Sequence, residues 1–451
     1  MRELPAAPGV MEIRRRESFL SILDFAHSLI ARGGGAIFAF TANIVLARLL
    51  GAQIFGSYIT LLSAALAVGG LAAYGTGPLL TREISAQPVN QQTLIVKQLG
   101  IWSLKRTGLL SLMGMGVVLC WLLTGIAAPP SDWCEIIATL VVIPGSMILA
   151  LAVSMLGGLS KVALSQAASN TVKNGLLLFG AGLLMLLGVH SASAALWLQA
   201  ISTILSLCIA GFWVHRHLPG TAKQSLDVPR NKNAIELSWR RSAGHFFAVS
   251  ASLLVLSRLD VVVVGAFANQ KQVGLFGAAA RIAQFAGLAG TLWIAWLQPR
   301  ISRQYVLGRT NRLNANIKMG LLGSVGMTAI VVTVGWLVAP WLTDLMGASF
   351  STAIWPLRCL LGSYLAWSFC VPYYVFLSMA GYERRLAKLL WTQSILTLTM
   401  TAPLCHYFGA AGAAVAWFAG TSFATIWMVR MGLKGLTASA AIDTVNYRDA
   451  K

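Results

Sequence analysis

Long apolar stretches, separated by short polar segments, recur along the whole of this chain. Each stretch holds roughly twenty apolar residues, the length that an α-helix needs to cross the hydrocarbon core of a bilayer. The alternating pattern of membrane barrel strands is absent. The pattern therefore predicts an all-α polytopic membrane protein with about twelve transmembrane helices. We place them near residues 28–48, 54–78, 107–127, 133–158, 169–189, 192–214, 244–267, 273–298, 318–342, 354–380, 386–406 and 410–430.

Basic residues are concentrated on alternate connections between these predicted helices. Of the 34 Lys and Arg residues, 28 fall on one side of the bundle, including Lys161 and Lys173, whereas only Arg48 and Lys271 fall on the other. Lys and Arg are retained in cytoplasmic loops, so both termini are predicted to be cytosolic. The first 27 residues are polar, and we expect a cytosolic segment there rather than a cleavable signal.

The composition agrees with a membrane protein and narrows the function. Hydrophobic residues make up 57% of the chain and charged residues 11%, whereas a soluble protein carries about a quarter charged residues. The net charge of +20 is accounted for by the cytosolic connections, so no nucleic-acid partner is expected. The connections on the opposite side are short, which excludes an exported catalytic domain and argues against membrane polymerases and glycosyltransferases.

An internal repeat divides the predicted helices into two sets of six. A segment containing Gly56 leads into a helix that ends near Arg82, and a segment containing Gly274 leads into one that ends near Arg300, 26 residues on in both cases. Parallel repeats of this kind occur in transporters that rock around a central site. The expected organisation is an amino-terminal segment (1–27), a first six-helix lobe (28–214), a basic cytosolic linker (215–243), a second six-helix lobe (244–430) and a cytosolic tail (431–451).

Several charged residues fall inside the predicted spans, where an ionised side chain costs roughly 3 kcal/mol at the bilayer centre. We therefore expect them to face a polar cavity or a partner. The cations outnumber the single anion, which favours a cavity for an anionic group, because Arg pairs bidentately with phosphate. A pump for organic cations would need acidic residues instead. The residues are Arg32, Arg258, Asp260, Arg281 and Arg358.

Helical spacing places some of these charges beside other candidate binding residues. Arg32 shares a stripe with Gly35, Ala39 and Asn43, a pattern that suits a cavity wall and equally suits close helix packing. The pair Arg281 and Gln284 lies on one face of the eighth predicted helix.

The roles of the other charged residues stay open at this point. Arg258 and Asp260 are two residues apart and should not pair with each other. Asp260 either neutralises an Arg of another helix or titrates during transport. Arg358 lies early in its span, where its side chain can also extend to the interface.

The motif inventory gives no candidate for catalysis. The chain has no GxxxxGK[ST] motif, and its six histidines show no HExxH spacing. It has no GxSxG motif either. We expect neither an enzyme nor a bound cofactor or metal ion.

A series of segments distributed along most of the chain carries a family resemblance. In chain order they are 43–51 (NIVLARLLG), 55–58 (FGSY), 80–84 (LTREI), 260–265 (DVVVVG), 273–282 (VGLFGAAARI), 299–302 (PRIS), 346–350 (MGASF), 356–358 (PLR), 380–384 (AGYER) and 408–414 (FGAAGAA). Together they resemble the polysaccharide-export branch of the multidrug/oligosaccharidyl-lipid/polysaccharide exporter superfamily. That branch contains the O-antigen and exopolysaccharide repeat-unit flippases.

The resemblance implies two six-helix lobes that form a V around a central, often cationic cavity. It implies a flippase in the bacterial inner membrane that moves undecaprenyl-pyrophosphate-linked oligosaccharides from the cytosolic to the periplasmic leaflet. Arg32 and Arg281 fall where such proteins place cavity cations, and Arg258 is a further candidate. The chain departs from the family pattern at Val261, where a basic residue often follows the aspartate.

The expected substrate-binding residues are thus Arg32, Arg258, Arg281, Asn43 and Gln284. Asp260 is expected to serve in coupling or charge pairing. The expected partners are the lipid-linked oligosaccharide and membrane lipids, with polysaccharide polymerase and chain-length proteins as further candidates. Two alternatives remain at this stage: a cation-coupled multidrug antiporter of the same superfamily, and a non-transporting membrane scaffold of a polysaccharide-synthesis complex.

Overall fold

The computed structural model describes residues 8–73, 75–124, 132–218, 232–254, 258–307 and 310–449, and these residues are helical apart from short connections. The helices of the first lobe are α1 (Pro8–Ala72), α2 (Thr76–Ser85), α3 (Val89–Leu123), α4 (Trp133–Gly158), α5 (Val162–Gln166), a π-helical segment (Ala167–Val172), α6 (Lys173–Leu186) and α7 (Ala192–His217). Those of the second lobe are α8 (Lys232–Leu254), α9 (Asp260–Phe267), α10 (Gln270–Val306), α11 (Thr310–Met346), a 3₁₀ turn (Ala348–Ala353), α12 (Ile354–Met379) and α13 (Glu383–Asp449).

Twelve membrane crossings follow from these elements. Among the described residues, eight helices are long and apolar enough to span a bilayer. Two of them, α1 and α13, each contain two crossings, because the chain turns at Gly51 (φ 68°) and Gly409 (φ 58°), a conformation that glycine adopts without steric cost. The two remaining crossings are interrupted helices, one running from α5 through the π segment to α6 and the other from α8 to α9. The predicted all-α fold with two six-helix lobes is confirmed.

Several helices extend well beyond their predicted membrane spans. Helix α3 begins at Val89, although its apolar run was placed at 107–127. Helix α8 begins at Lys232, inside the segment expected to be the linker. Hydropathy marks only the part of a helix that lies in the hydrocarbon core, whereas backbone hydrogen bonding continues into water.

The connections define two faces of the bundle. We call the face with Gly51, Gly409 and the α9–α10 connection the Gly51 side, and the opposite face the Arg82 side. Contacts between connections support this assignment on the Gly51 side. The His190 ring nitrogen lies 2.6 Å from the carbonyl oxygen of Leu49, and the backbone amide of Ala52 donates to Ser349 Oγ at 3.3 Å.

The two lobes meet on the Gly51 side through the two glycines that the sequence repeat aligns. A Cβ atom on Gly56 would lie 2.8 Å from the carbonyl carbon of Gln270, and one on Gly274 would lie 2.9 Å from the carbonyl carbon of Ala52. Ala52 precedes Gly56 by four residues, as Gln270 precedes Gly274. The contact is therefore reciprocal, as expected when two repeats face each other across a pseudo-two-fold axis.

Large apolar side chains surround this contact. Phe55 and Tyr58 of α1 and Phe276 of α10 are buried, and the rings of Phe55 and Phe350 meet edge to face with centroids 6.0 Å apart. These residues belong to one apolar core that includes both lobes. The lobes are thus joined firmly on the Gly51 side.

The first half of α1 packs closely against the π segment through Gly35. A Cβ atom at Gly35 would lie 2.6 Å from the carbonyl carbon of Asn170 and 2.8 Å from the amide nitrogen of Thr171, whereas Gly33 has no neighbour within 4 Å. We expect Gly35→Ala to destabilise the protein by about 1–3 kcal/mol through overpacking. Gly33→Ala should stabilise it by about 0.5–1 kcal/mol, because alanine is the better helix former. Thermal unfolding of the two variants in detergent, with size-exclusion chromatography after heating as the readout, tests this. Equal unfolding midpoints would contradict the packing of α1 on the π segment.

Candidate functional site

A cavity of about 290 Å³ lies between the two lobes. The first lobe contributes α1, the π segment, α6 and α7, and the second lobe contributes α10 and the π-helical turn before α9. Its walls combine apolar side chains with polar ones, and the polar ones are amides, hydroxyls and cations. The polar lining residues are Asn43, Tyr58, Ser169, Asn170, Lys173, Asn174, Gln199, Arg258, Arg281 and Gln284.

Four of the residues predicted from the sequence line this cavity together. Asn43 comes from α1, Arg258 from the turn before α9, and Arg281 with Gln284 from α10. The structure brings them together from both lobes, and Arg281 Nη1 donates to Gln284 Oε1 at 3.4 Å. The predicted shared face of Arg281 and Gln284 is therefore present.

The predicted anion lies behind the lining rather than in it. Asp260 is the first residue of α9 and is buried, and its carboxylate accepts the backbone N–H of Val261 at 2.8 Å. It interacts electrostatically with Arg281 of another helix and also with Arg258. Within the described part of the chain, neither arginine forms an ion pair with it at 4 Å or less.

Arg32 is not part of the lining. Its side chain is exposed, and the cavity wall on α1 begins one turn further on, at Ala36. The sequence left open whether the stripe that contains Arg32 forms a cavity wall or packs closely on another helix, and the structure shows both. Ala39 and Asn43 line the cavity, whereas Gly35 packs on the π segment.

The π segment and the first turn of α6 supply lining residues that sequence reasoning missed. Asn174 Nδ2 donates to the carbonyl oxygen of Gly35 at 3.0 Å, and Thr171 Oγ1 donates to that of Ala31 at 2.6 Å, so this segment is fixed to α1. A π-helical turn changes the direction of the following side chains and is frequent at functional sites. Ser169 and Asn170 are followed three to four positions later by Lys173 and Asn174, so the four side chains form one polar face of a helix within an apolar run. This helical spacing could have identified the lining residues from the sequence.

Lys173 was expected on a cytosolic connection, and this expectation was wrong. The residue opens α6 and lines the cavity with the two arginines. The error arose because Lys173 lies near the edge of its apolar run, where a helix and a connection look alike. The cavity therefore holds three cations, Lys173, Arg258 and Arg281, and no described lining residue carries a carboxylate.

The cavity lining runs from a buried residue toward the Gly51 side to an exposed residue toward the Arg82 side. Toward the Gly51 side it ends at Tyr58, which is buried two residues from the Gly56 contact. Toward the Arg82 side Gln284 is exposed although it lines the cavity. Between the lobes, the rings of Phe40 and Phe285 meet edge to face with centroids 4.6 Å apart. Among the described lining residues Gln284 alone is exposed, and this favours access to the cavity from the Arg82 side.

The remaining charged candidate lies away from this site. The Arg358 guanidinium lies 5.5 Å from the ring centre of Trp336 and 5.8 Å from that of Trp355, and both rings are exposed on the outside of the second lobe. Among the described residues, no group of three His, Cys, Asp or Glu side chains is placed to hold a metal ion. The chemistry that the cavity offers is cationic and amide recognition of an anionic, hydroxyl-rich molecule.

Solved structures of the same architecture cover nearly the whole chain. An inward-facing multidrug resistance MATE family transporter of the MOP superfamily matches with a TM-score of 0.66 and 15% identity, over 90% of this chain and 96% of that one. The lipid II flippase MurJ in an inward closed conformation matches with a TM-score of 0.66 and 12% identity, over 95% of this chain and 93% of that one. An outward-facing MATE family transporter matches with a TM-score of 0.55 and 15% identity, over 91% and 96%. At these identities the likeness shows the fold.

The sequence itself matches the family described as polysaccharide biosynthesis protein, over residues 24–303. No match was found among curated proteins. The matched region includes the first lobe from residue 24 onward and, in the second, α8, α9 and most of α10, and it therefore contains every lining residue of the cavity. The chain is a multi-pass membrane protein and belongs to the polysaccharide biosynthesis protein family.

Proposed function

We propose that the protein is a flippase for undecaprenyl-pyrophosphate-linked oligosaccharide repeat units in surface polysaccharide biosynthesis, such as that of O-antigen or exopolysaccharide. The observation that carries the proposal is the cavity between the lobes, where three cations from both lobes meet amide side chains without a carboxylate in the lining. A diphosphate joined to sugars has the complementary chemistry. Membership of the polysaccharide biosynthesis protein family supports the same assignment.

The proposed orientation places the Arg82 side in the cytosol of a bacterial inner membrane. The basic residues of the connections gather on that side, as they do on cytosolic faces. Both termini are then cytosolic, and the cavity is open toward the cytosol. In this state the protein accepts its substrate from the cytosolic leaflet.

In this proposal Arg281 and Arg258 hold the pyrophosphate, since guanidinium groups bind phosphate oxygens in bidentate geometry. Arg32, exposed one turn beyond the cavity wall, meets the anionic group at the entrance. Asn43 and Gln284 offer amide groups, which can both donate to and accept from sugar hydroxyls. The isoprenoid chain stays in the bilayer, because its transfer into a polar cavity would be unfavourable.

Asp260 has a structural role in this scheme. It lies behind the two arginines and partly neutralises them without occupying the lining. The second role proposed for Asp260 is coupling, through uptake of a proton by the same carboxylate. Transport then requires the contact on the Gly51 side to open while the Arg82 side closes, as in alternating access.

The pool of lipid-linked oligosaccharide tests the proposal directly. In a strain that lacks the protein, undecaprenyl-linked repeat units should accumulate on the cytosolic leaflet and surface polysaccharide should be lost. An unchanged pool, together with sensitivity to cationic dyes, would instead support a multidrug antiporter. Loss of polysaccharide on deletion, with normal export by variants of every cavity arginine, would support a scaffold. Cross-linking in a strain that carries the protein tests its interaction with polymerase and chain-length proteins.

A further inference from the structure

Lys173 is the cation that the first lobe contributes to the cavity, whereas Arg258 and Arg281 belong to the second lobe. All three face one cavity of about 290 Å³. Lys173 follows the π segment directly, and Thr171 of that segment and Asn174 of α6 both donate to backbone carbonyl groups of α1. The position of the ammonium group is therefore linked to the body of the first lobe.

The charges that face Lys173 are of the same sign. Its electrostatic neighbours are Arg258 and Arg281 across the cavity, and within the described residues it forms no ion pair. The acidic group of this region, Asp260, lies on the second lobe beside the two arginines. The second lobe is thus partly neutralised, whereas Lys173 has no carboxylate of its own among the cavity lining.

Like charges on opposite walls of a narrow cavity repel each other, and this repulsion is screened less than that between charges on the open surface. Any approach of the two lobes on the Arg82 side shortens the distances between Lys173 and the arginines. An anion with two phosphate groups placed between them reverses the sign of the interaction on both walls. The same cations that bind the anion therefore oppose closure in its absence.

We propose that Lys173 makes occlusion of the cavity dependent on substrate, because the diphosphate must bridge it to Arg258 and Arg281 before the lobes close on the Arg82 side. This inference rests on the proposed function for the identity of the anion, but not for the repulsion. It assigns to Lys173 phosphate binding within the first lobe. It also explains how an uncharged lipid would be rejected, since such a lipid leaves the repulsion in place.

The distance between the lobes on the Arg82 side reports this directly. Nitroxide labels at Gln91→Cys in α3 and Leu307→Cys after α10 lie on different lobes, and both positions are exposed. The full chain, with its six native cysteines replaced by alanine, is reconstituted in lipid nanodiscs. Electron spin resonance then measures the distance distribution with and without inorganic pyrophosphate.

Three variants make the test specific. Lys173→Gln removes the charge, and Lys173→Met removes it while keeping the apolar stem. Lys161→Gln removes an exposed charge on the same lobe and the same side, and serves as the matched control.

We expect pyrophosphate to shift the unmodified protein toward the short distance. Without ligand, the population at the short distance should be roughly tenfold larger in both Lys173 variants than in the unmodified protein. Lys161→Gln should behave as the unmodified protein does. Unaltered distributions in both Lys173 variants would overturn the inference, and so would equal closure in the Lys161 control. If both Lys173 variants close but pyrophosphate has no effect on the unmodified protein, the repulsion is established and the proposed diphosphate substrate is contradicted.

Discussion

Replacing Arg281 with alanine should abolish polysaccharide export while the protein still folds and reaches the membrane. The side chain lines the cavity from α10, donates to Gln284, and interacts with Asp260 behind it. A hydrogen bond to a charged group contributes about 1.5–3 kcal/mol, which corresponds to roughly 10- to 150-fold in substrate affinity. Accumulation of lipid-linked repeat units in cells that carry Arg281→Ala, together with immunoblots of membranes, measures both parts of this expectation.

Arg281→Lys and Arg300→Ala provide the controls for this variant. Lysine keeps the charge but loses the bidentate geometry, so Arg281→Lys should retain part of the export. Arg300 lies on the same helix, is exposed, and stacks on Trp296 with 3.7 Å to the ring centre. Its replacement should leave export close to normal. Normal export by Arg281→Ala would remove this residue from the proposed binding site.

Arg32→Ala is expected to have a smaller effect than Arg281→Ala. The two arginines were equivalent candidates in the sequence, but the structure places one in the cavity wall and the other on an exposed turn outside it. A residue at the entrance raises the local concentration of an anion, and its contribution falls with ionic strength. Arg281 lies inside the cavity, where screening is weaker than at an exposed site, so its contribution should fall less with salt.

The helices could be predicted because a bilayer leaves the backbone few choices. An apolar run must satisfy its own hydrogen bonds, so each run becomes a helix, and α4 occupies the predicted residues 133–158. What hydropathy cannot show is where a helix continues into water or changes its hydrogen-bond pattern. Thus the beginning of α3 at Val89 and the π segment were not predicted.

The candidate site was predicted in part for a related reason. Helical spacing shows which side chains share a face, and it correctly joined Arg281 with Gln284. It does not show what the face meets. The α1 stripe at Arg32, Gly35, Ala39 and Asn43 is therefore shared between solvent, the π segment and the cavity.

Lys173 shows the second limit of sequence reasoning. The charge-asymmetry rule counts basic residues in connections, and a lysine near the edge of an apolar run was counted with them. Only the fold shows that the side chain faces inward. The same rule nevertheless remains the basis for the proposed orientation, since moving one residue between the sets leaves the strong asymmetry in place.

Replacing Gly56 with leucine should open the contact on the Gly51 side and stop transport. Any side chain at Gly56 must displace the backbone of Gln270, and any at Gly274 must displace that of Ala52, because a Cβ atom already overlaps these carbonyl groups. The substitution therefore penalises the state in which the lobes are joined there and leaves the opposite state free of that overlap. We expect Gly56→Leu and Gly274→Leu to shift the population toward the state open on the Gly51 side.

Chemical labelling measures the shift. In a variant without native cysteines, Asn43→Cys places a thiol in the cavity near its closed end. A membrane-impermeant maleimide added outside intact cells should label it several-fold faster in the leucine variants than in the parent protein. Gly116→Leu, at a helical glycine with no neighbour within 4 Å, should leave the labelling rate unchanged.

The repeat makes this prediction stricter than one for a single glycine. Because Gly56 and Gly274 make the same contact from opposite lobes, the two single variants should have effects of similar size. The double variant should add little, since once the lobes are apart on this side neither glycine faces a carbonyl group. Fully additive effects would mean that the glycines act separately, and slower labelling in the variants would mean that the contact does not hold the cavity closed.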